Sequence, residues 1–141
     1  FMWQIEEFGR GDAYSTLFKA SYAFDISLRE FIPPLLCGGS VIIVPHEMEM
    51  NTGYVSQVII THKPDVVQFV PSLLQLFVDN GHVDSLRHCR CIMSAGEPMK
   101  RDLALQVVLQ NVIYYYTQSD HKYFNVRQSH FTMCRQATRY M

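Results

Sequence analysis

Short apolar runs alternate with stretches of helical spacing along most of the chain. Leu17 to Ala20 has the character of a strand and leads into the segment FDISLREF, Phe24 to Phe31. Ser27 and Glu30 fit the S-x-x-E capping box, which predicts a helix with Ser27 at its N-cap. That helix would present Phe31, Leu35 and Leu36 to a core, and Pro33-Pro34 should keep it short or kinked. Ser40 to Pro45 (SVIIVP) reads as a buried strand entered through a Gly38-Gly39 turn. Tyr54, Val55, Val58 and Ile59 have helical spacing and run to a stop at His62-Lys63-Pro64. The pattern then repeats. A strand over Asp65 to Ser72 precedes a helix that closes at Asn80-Gly81. A strand over Cys89 to Gly96 precedes a helix from about Met99 to Gln110. Asn111 to Ser119 is the last clear strand and turn.

Strands alternating with helices at this spacing predict βαβ units: an α/β fold with a mostly parallel sheet and helices on its faces. Ligands of such sheets sit beyond the carboxyl ends of the strands. The residues expected there are Asp25, Pro71-Ser72, Ala95-Gly96-Glu97 and Thr117-Gln118, a rim of small, polar and acidic groups. After Ser119 the period fades, and residues 119–141 are unassigned, either a disordered or a divergent tail.

Composition narrows the function classes. The 141 residues are 48% hydrophobic and 18% charged, enough for one domain with a sizeable core. A formal net charge of −1 and the lack of a basic stripe argue against nucleic acid as a partner. The uncharged run near Phe31 to Pro45 is broken by Pro33-Pro34 and Gly38-Gly39, so no membrane span is expected. No basic-then-apolar leader is visible, and the four cysteines match neither a paired zinc site nor a dense disulfide framework. The expectation is a reduced, cytoplasmic protein. Alternation in a strand would put Cys89 and Cys91 on one face as small core residues, which competes with a metal reading of His88-Cys89-Arg90-Cys91. Arg10-Gly11-Asp12 spells an adhesion tripeptide, but three residues recur often by chance and a turn before a strand explains them well. The chain begins with Phe1, which suggests a piece of something longer.

Asp25 poses the sharpest question. It sits between the apolar Tyr22-Ala23-Phe24 run and Ile26, and an ionised carboxylate is costly to remove from water without a partner. Either it is exposed and caps a helix, or it awaits a cation.

Taken in order, GRGDAYSTLFKASYAFDISLREFIPPLLCGGSVIIVP, VVQFVPSLL and IMSAGEPM resemble the middle of an amino-acid adenylation domain. These domains belong to the AMP-binding, adenylate-forming synthetases and serve nonribosomal peptide synthetases. The resemblance covers roughly Trp3 to Gln118, so residues 1–118 form one partial AMP-binding unit within the large N-terminal subdomain of that fold. Its most specific element is F-D-x-S-x-x-E at Phe24 to Glu30 with P-L-L-x-G at Pro34 to Gly38.

The resemblance implies that Asp25 binds the α-ammonium of an amino-acid substrate. It places Ile26, Arg29, Gln68, Met93, Ala95 and Ile113 around the substrate side chain. An inward Arg29 would suit an acidic or long polar side chain. Gly96, Glu97 and Pro98 match the loop that packs on adenine, Tyr114 the aromatic that contacts it, and Thr117 the hydroxyl for the α-phosphate. Gln118 stands where the family has a glutamate that helps hold Mg2+, and Tyr115-Tyr116 replace a Gly-Pro pair. The family's phosphate loop and its lid lysine have no counterpart in these residues. The implied cofactors are ATP and Mg2+, with phosphopantetheine on a carrier domain. Carrier and condensation-type domains are the implied partners, and this segment alone is expected to be inactive. An acyl-CoA ligase fragment and a non-catalytic remnant or scaffold are the alternatives, the first disfavoured by Asp25.

Overall fold

The computed structural model describes residues 2–9, 12–110, 113–117 and 123–126, with the backbone alone for Met2, Trp3 and the last two stretches. The helices are α1 (Met2–Phe8), α2 (Ile26–Leu36), α3 (Thr52–His62), α4 (Pro71–Asp79) and α5 (Arg101–Val108). The strands are β1 (Ser15–Phe18), β2 (Ser40–Ile43), β3 (Val66–Phe69), β4 (Cys91–Ala95), β5 (Ile113–Thr117) and β6 (Tyr123–Val126). They form one sheet in the order β2-β1-β3-β4-β5-β6. The first five are parallel and β6 joins β5 antiparallel, so strand pairing extends past Ser119, where the sequence pattern fades.

Register divides the sheet into two faces. Leu17, Val67, Phe69 and Ile92 point to the larger core, which they share with α3, α4 and α5 through residues such as Ile59, Leu74, Phe77 and Val107. Val66, Cys91 and Met93 point the other way and pack with Phe8 and Tyr14. Burial on both faces is what near-continuous apolar strands in a parallel sheet require. β2 is the exception. It lies at the edge, beside β1 only, with Ser40 and Ile43 exposed, so the expected buried strand is an edge strand. Two adjacent glycines feed it for different reasons. Gly38 adopts φ 72°, and a Cβ on Gly39 would meet the Tyr14 carbonyl oxygen at 2.0 Å.

Helix α2 departs most from the sequence pattern. It starts at Ile26 after an Asp25 N-cap, and it runs through Pro33-Pro34 to Leu36. Ser27 is inside the helix and its hydroxyl donates to the Phe24 carbonyl, so no capping box forms. The buried face is Ser27, Glu30, Pro33 and Pro34, whereas Leu36 is 68% exposed and Leu35 is exposed too. The prolines explain this. A proline inside a helix has no N–H for the carbonyl four residues back. The carbonyls deprived here are those of Arg29 and Glu30. Gln4 Nε2 donates to the first at 3.3 Å, and Thr16 Oγ1 donates to the second. Both donors are buried. Orphaned helix carbonyls thus dictate which side of α2 turns inward.

Thr16 and Pro34 should therefore be energetically coupled. Thr16→Val should cost about 1–3 kcal/mol in denaturant unfolding, the scale of a lost buried hydrogen-bond partner. In a Pro34→Ala background the helix supplies its own N–H, and the cost should shrink by at least ~0.5 kcal/mol. Strictly additive effects would remove the explanation.

Candidate functional site at the carboxyl ends of the strands

Consecutive strands β1 and β2 run outward to one edge, and the chain then returns to place β3 on the other side of β1. The point where strand order reverses therefore lies between β1 and β3, where open α/β sheets form their ligand crevice. Residues leaving those strands build the rim. Lys19 follows β1 directly, and Val70-Pro71-Ser72 follows β3.

Lys19 and Glu30 are both buried, at 8% and 2% exposure. Glu30 Oε2 accepts from the backbone N–H groups of Lys19 at 2.9 Å and Ala20 at 2.8 Å. Glu30 comes from α2, and the Lys19 ammonium lies 4.5 Å from the centre of the Phe69 ring at the end of β3. Burial pushes the Glu30 carboxyl above its usual range, against the pull of Lys19 and the two amides. Burial likewise pushes the Lys19 ammonium down, against the charges of Glu30 and Glu49. Capping-box logic pointed Glu30 at its own helix. It reaches instead to the N–H groups that β1 leaves unpaired where it ends.

Asp25 is exposed at the N-cap of α2, and its carboxylate makes no cap hydrogen bond. Its side chain has no hydrogen bond or ion pair among the described residues. Asp25 is thus exposed at the head of the helix, as the first alternative had it, though without the cap hydrogen bond.

Gln68, Met93 and Ala95 share the sheet face that α2 covers, and Gln68 is the direct register partner of Met93. Gln4 Nε2, which bonds the Arg29 carbonyl, also lies 3.5 Å from Met93 Sδ and so ties α2 to this face. Ile26 and Arg29 are half-buried on α2. The Gln68 amide nitrogen is buried with no hydrogen-bond partner among the described residues. Ile113 pairs in register with Cys91, one step below Met93, and Thr117 pairs with Ala95. For Ile113, Tyr114 and Thr117 only the strand backbone is described, and Gln118 lies outside the described residues.

Beyond β4, Gly96 has φ 90°, a conformation that favours glycine, and Gly96 and Pro98 are exposed. The Glu97 carboxylate accepts from Ser72 N at 2.8 Å and Ser72 Oγ at 2.9 Å. Helix α4 has no side-chain cap of its own, and this carboxylate serves its positive N-terminus from across the rim. The sequence marked Glu97 and Ser72 separately and gave no hint that they bond.

The cysteine reading needs correction. Cys89 precedes β4 and packs in the larger core, whereas Cys91 faces the opposite side of the sheet. Strand alternation does not apply because Cys89 ends a 3-10 turn. His88 is exposed, and no cluster of metal-ligating side chains occurs among the described residues. No helix among them is long and apolar enough to cross a membrane.

With this geometry in place, the likeness to known proteins is informative. The family of AMP-binding enzymes matches residues 1–120. A linear gramicidin synthase of Brevibacillus parabrevis is 33% identical over 97 residues, 68% of this chain and 2% of that protein. Tyrocidine synthase 3 of the same organism is 26% identical over 98 residues, 70% of this chain and 2% of that protein. The chain thus spans a small fraction of these curated relatives. Among solved structures, the Vibrio cholerae adenylation domain AlmE, in complex with glycyl-adenosine-5'-phosphate, superposes with a TM-score of 0.76 at 19% identity. That match covers 93% of this chain and 26% of AlmE. The nonribosomal peptide synthetase FmoA3, AMPPNP-bound, gives 0.76 at 17% identity over 92% of this chain and 16% of its own. The chain belongs to the AMP-binding enzymes, and its fold is that of the adenylation domains of nonribosomal peptide synthetases.

The thiols provide a check on the burial described here. Burial pushes Cys89 up to about 12 and Cys91 well above its ordinary range, so both should resist iodoacetamide in the native state while the half-buried Cys37 reacts. A folded thiol that holds its proton more tightly than the unfolded one stabilises fully below its ordinary value of 9.0. That contribution falls as pH rises from there toward about 12. Rapid native labelling of Cys89 or Cys91, read by mass spectrometry, would contradict this placement.

Proposed function

We propose that this chain is the substrate-binding part of an enzyme that activates an amino acid with ATP, giving an aminoacyl adenylate and pyrophosphate. The acyl group would then pass to a phosphopantetheine thiol on a carrier domain. The observation that carries the reading is the Asp25 carboxylate, exposed at the N-cap of α2 and making no hydrogen bond to its own helix. A carboxylate there suits an α-ammonium, and charge-assisted hydrogen bonds of this kind are the strong ones. A fatty or aryl acid offers no such cation, which disfavours a CoA ligase of those substrates.

In this reading Ile26, Arg29, Gln68, Met93, Ala95 and Ile113 surround the substrate side chain. An inward Arg29 would suit an acidic or long polar one, and the Gln68 amide nitrogen, buried with no hydrogen-bond partner among the described residues, gains most from an acceptor that satisfies it. ATP, when bound, supplies the electrophilic phosphorus that the carboxylate oxygen attacks. This chain's contribution is to hold the amino acid still and in line. The bare turn at Gly96-Glu97-Pro98 fits close approach of an adenine to backbone, since the Glu97 side chain is already committed to Ser72. Tyr114 and Thr117 would complete the nucleotide side, and the neutral amide of Gln118 is a poor ligand for Mg2+. A cytoplasmic setting, with carrier and condensation-type domains as partners, belongs to the same reading, as does inactivity of these residues alone.

The test is amino-acid-dependent ATP–pyrophosphate exchange by the intact protein that carries this chain, screened over the proteinogenic amino acids. Asp25→Asn should lower kcat/KM for the preferred amino acid by ~10- to 100-fold, the worth of a charged hydrogen bond. Unchanged exchange in that variant would sink the assignment of Asp25. Exchange that responds to acids lacking an amino group would sink the substrate class.

A further inference from the structure

We propose that Glu30 is a positioning residue for the ammonium site: it fixes the segment from Lys19 to Asp25 without touching substrate. This rests on the adenylation reading above.

The segment has little else to hold it. Tyr22 is 89% exposed and Phe24 66%, so no apolar anchor secures its middle. Its internal bonds are local. Phe24 N donates to the Ser21 carbonyl, and the Ser27 amide and hydroxyl both donate to the Phe24 carbonyl. Long-range attachment is concentrated at Glu30. At the start of the segment, Oε2 takes the N–H groups of Lys19 and Ala20. At its end, Asp25 is the N-cap of the helix on which Glu30 sits, and the Glu30 carbonyl is fastened to Thr16 of β1. One residue therefore closes a loop: strand end, exposed turn, helix start, and back to the strand end. The Lys19 ammonium, over Phe69, extends the same fastening to β3 across the switch point.

A carboxylate suits this task better than an amide. It accepts two amides on one oxygen and leaves charge for the nearby ammonium. Removing that charge leaves Lys19 buried with one fewer compensating partner and weakens the hold on both amides. Displacements of about 1 Å at a reacting group cost on the order of 100-fold in rate. A loosened Asp25 should therefore be felt as weaker amino-acid use, while ATP contacts on the β4 side of the rim are untouched.

The experiment is Glu30→Gln in the intact protein, with kinetics and amide hydrogen exchange measured on the same samples. The probe is the amino acid that supports the fastest exchange. Expected is a rise of ~10- to 100-fold in its KM, an unchanged KM for ATP, and faster exchange of the Lys19 and Ala20 amides. Ile59→Val, in the larger core on the opposite face of the sheet, serves as the control for lost stability alone and should leave the ratio of the two KM values unmoved. If Glu30→Gln does not fold, Glu30→Asp keeps the charge but withdraws the oxygen by one methylene, and the same split is expected. Equal rises in both KM values, or amides that stay protected in the variants, overturn the positioning role alone. An intact protein with protected loop amides but no amino-acid-dependent exchange overturns the adenylation reading, and this inference with it.

Discussion

Two prolines in the middle of a helix leave two carbonyls without donors, and much of one side of this molecule is arranged to supply them. Gln4 and Thr16 are polar residues in a buried layer, which is costly unless each has a partner. Their partners are the Arg29 and Glu30 carbonyls that Pro33 and Pro34 cannot serve. The need is mutual, since neither the donors nor the carbonyls could be buried alone. That reciprocity sets the rotation of α2, brings Glu30 over the end of β1, and leaves Asp25 at the exposed start of the helix.

The larger architecture was legible because it rests on period and punctuation. Strand and helix alternation, the Lys63-Pro64 stop and the Gly38-Gly39 entry all appear near their expected places. Boundaries moved by a few residues. β1 begins at Ser15 rather than Leu17, and Pro71-Ser72 opens a helix instead of ending a strand. The order of strands is a tertiary property, so the edge position of β2 and the addition of β6 could not be read from local pattern.

Of the site, the residue types were visible and their bonds were not. Asp25 stood out because a carboxylate among aromatic neighbours demands an explanation. Glu30 and Glu97 were each assigned by motif, one to a capping box and one to a nucleotide loop. Their carboxylates serve backbone amides from other elements: Lys19 and Ala20 in one case, Ser72 in the other. Those acceptors are needed wherever a parallel strand ends or a helix begins without its own cap. The usable signal was the Pro-Pro pair. Counting back four residues identifies two carbonyls in need, and the buried Thr and Gln are the groups able to answer.

There is a thermodynamic side to α2. Lacking two of its own hydrogen bonds, it draws its stability from docking on β1 and α1 rather than from helix propagation. Helical order at Asp25 and attachment to the sheet then form a single equilibrium. Local opening of this corner would carry the carboxylate away together with its helix, so the corner is assembled or lost as a unit.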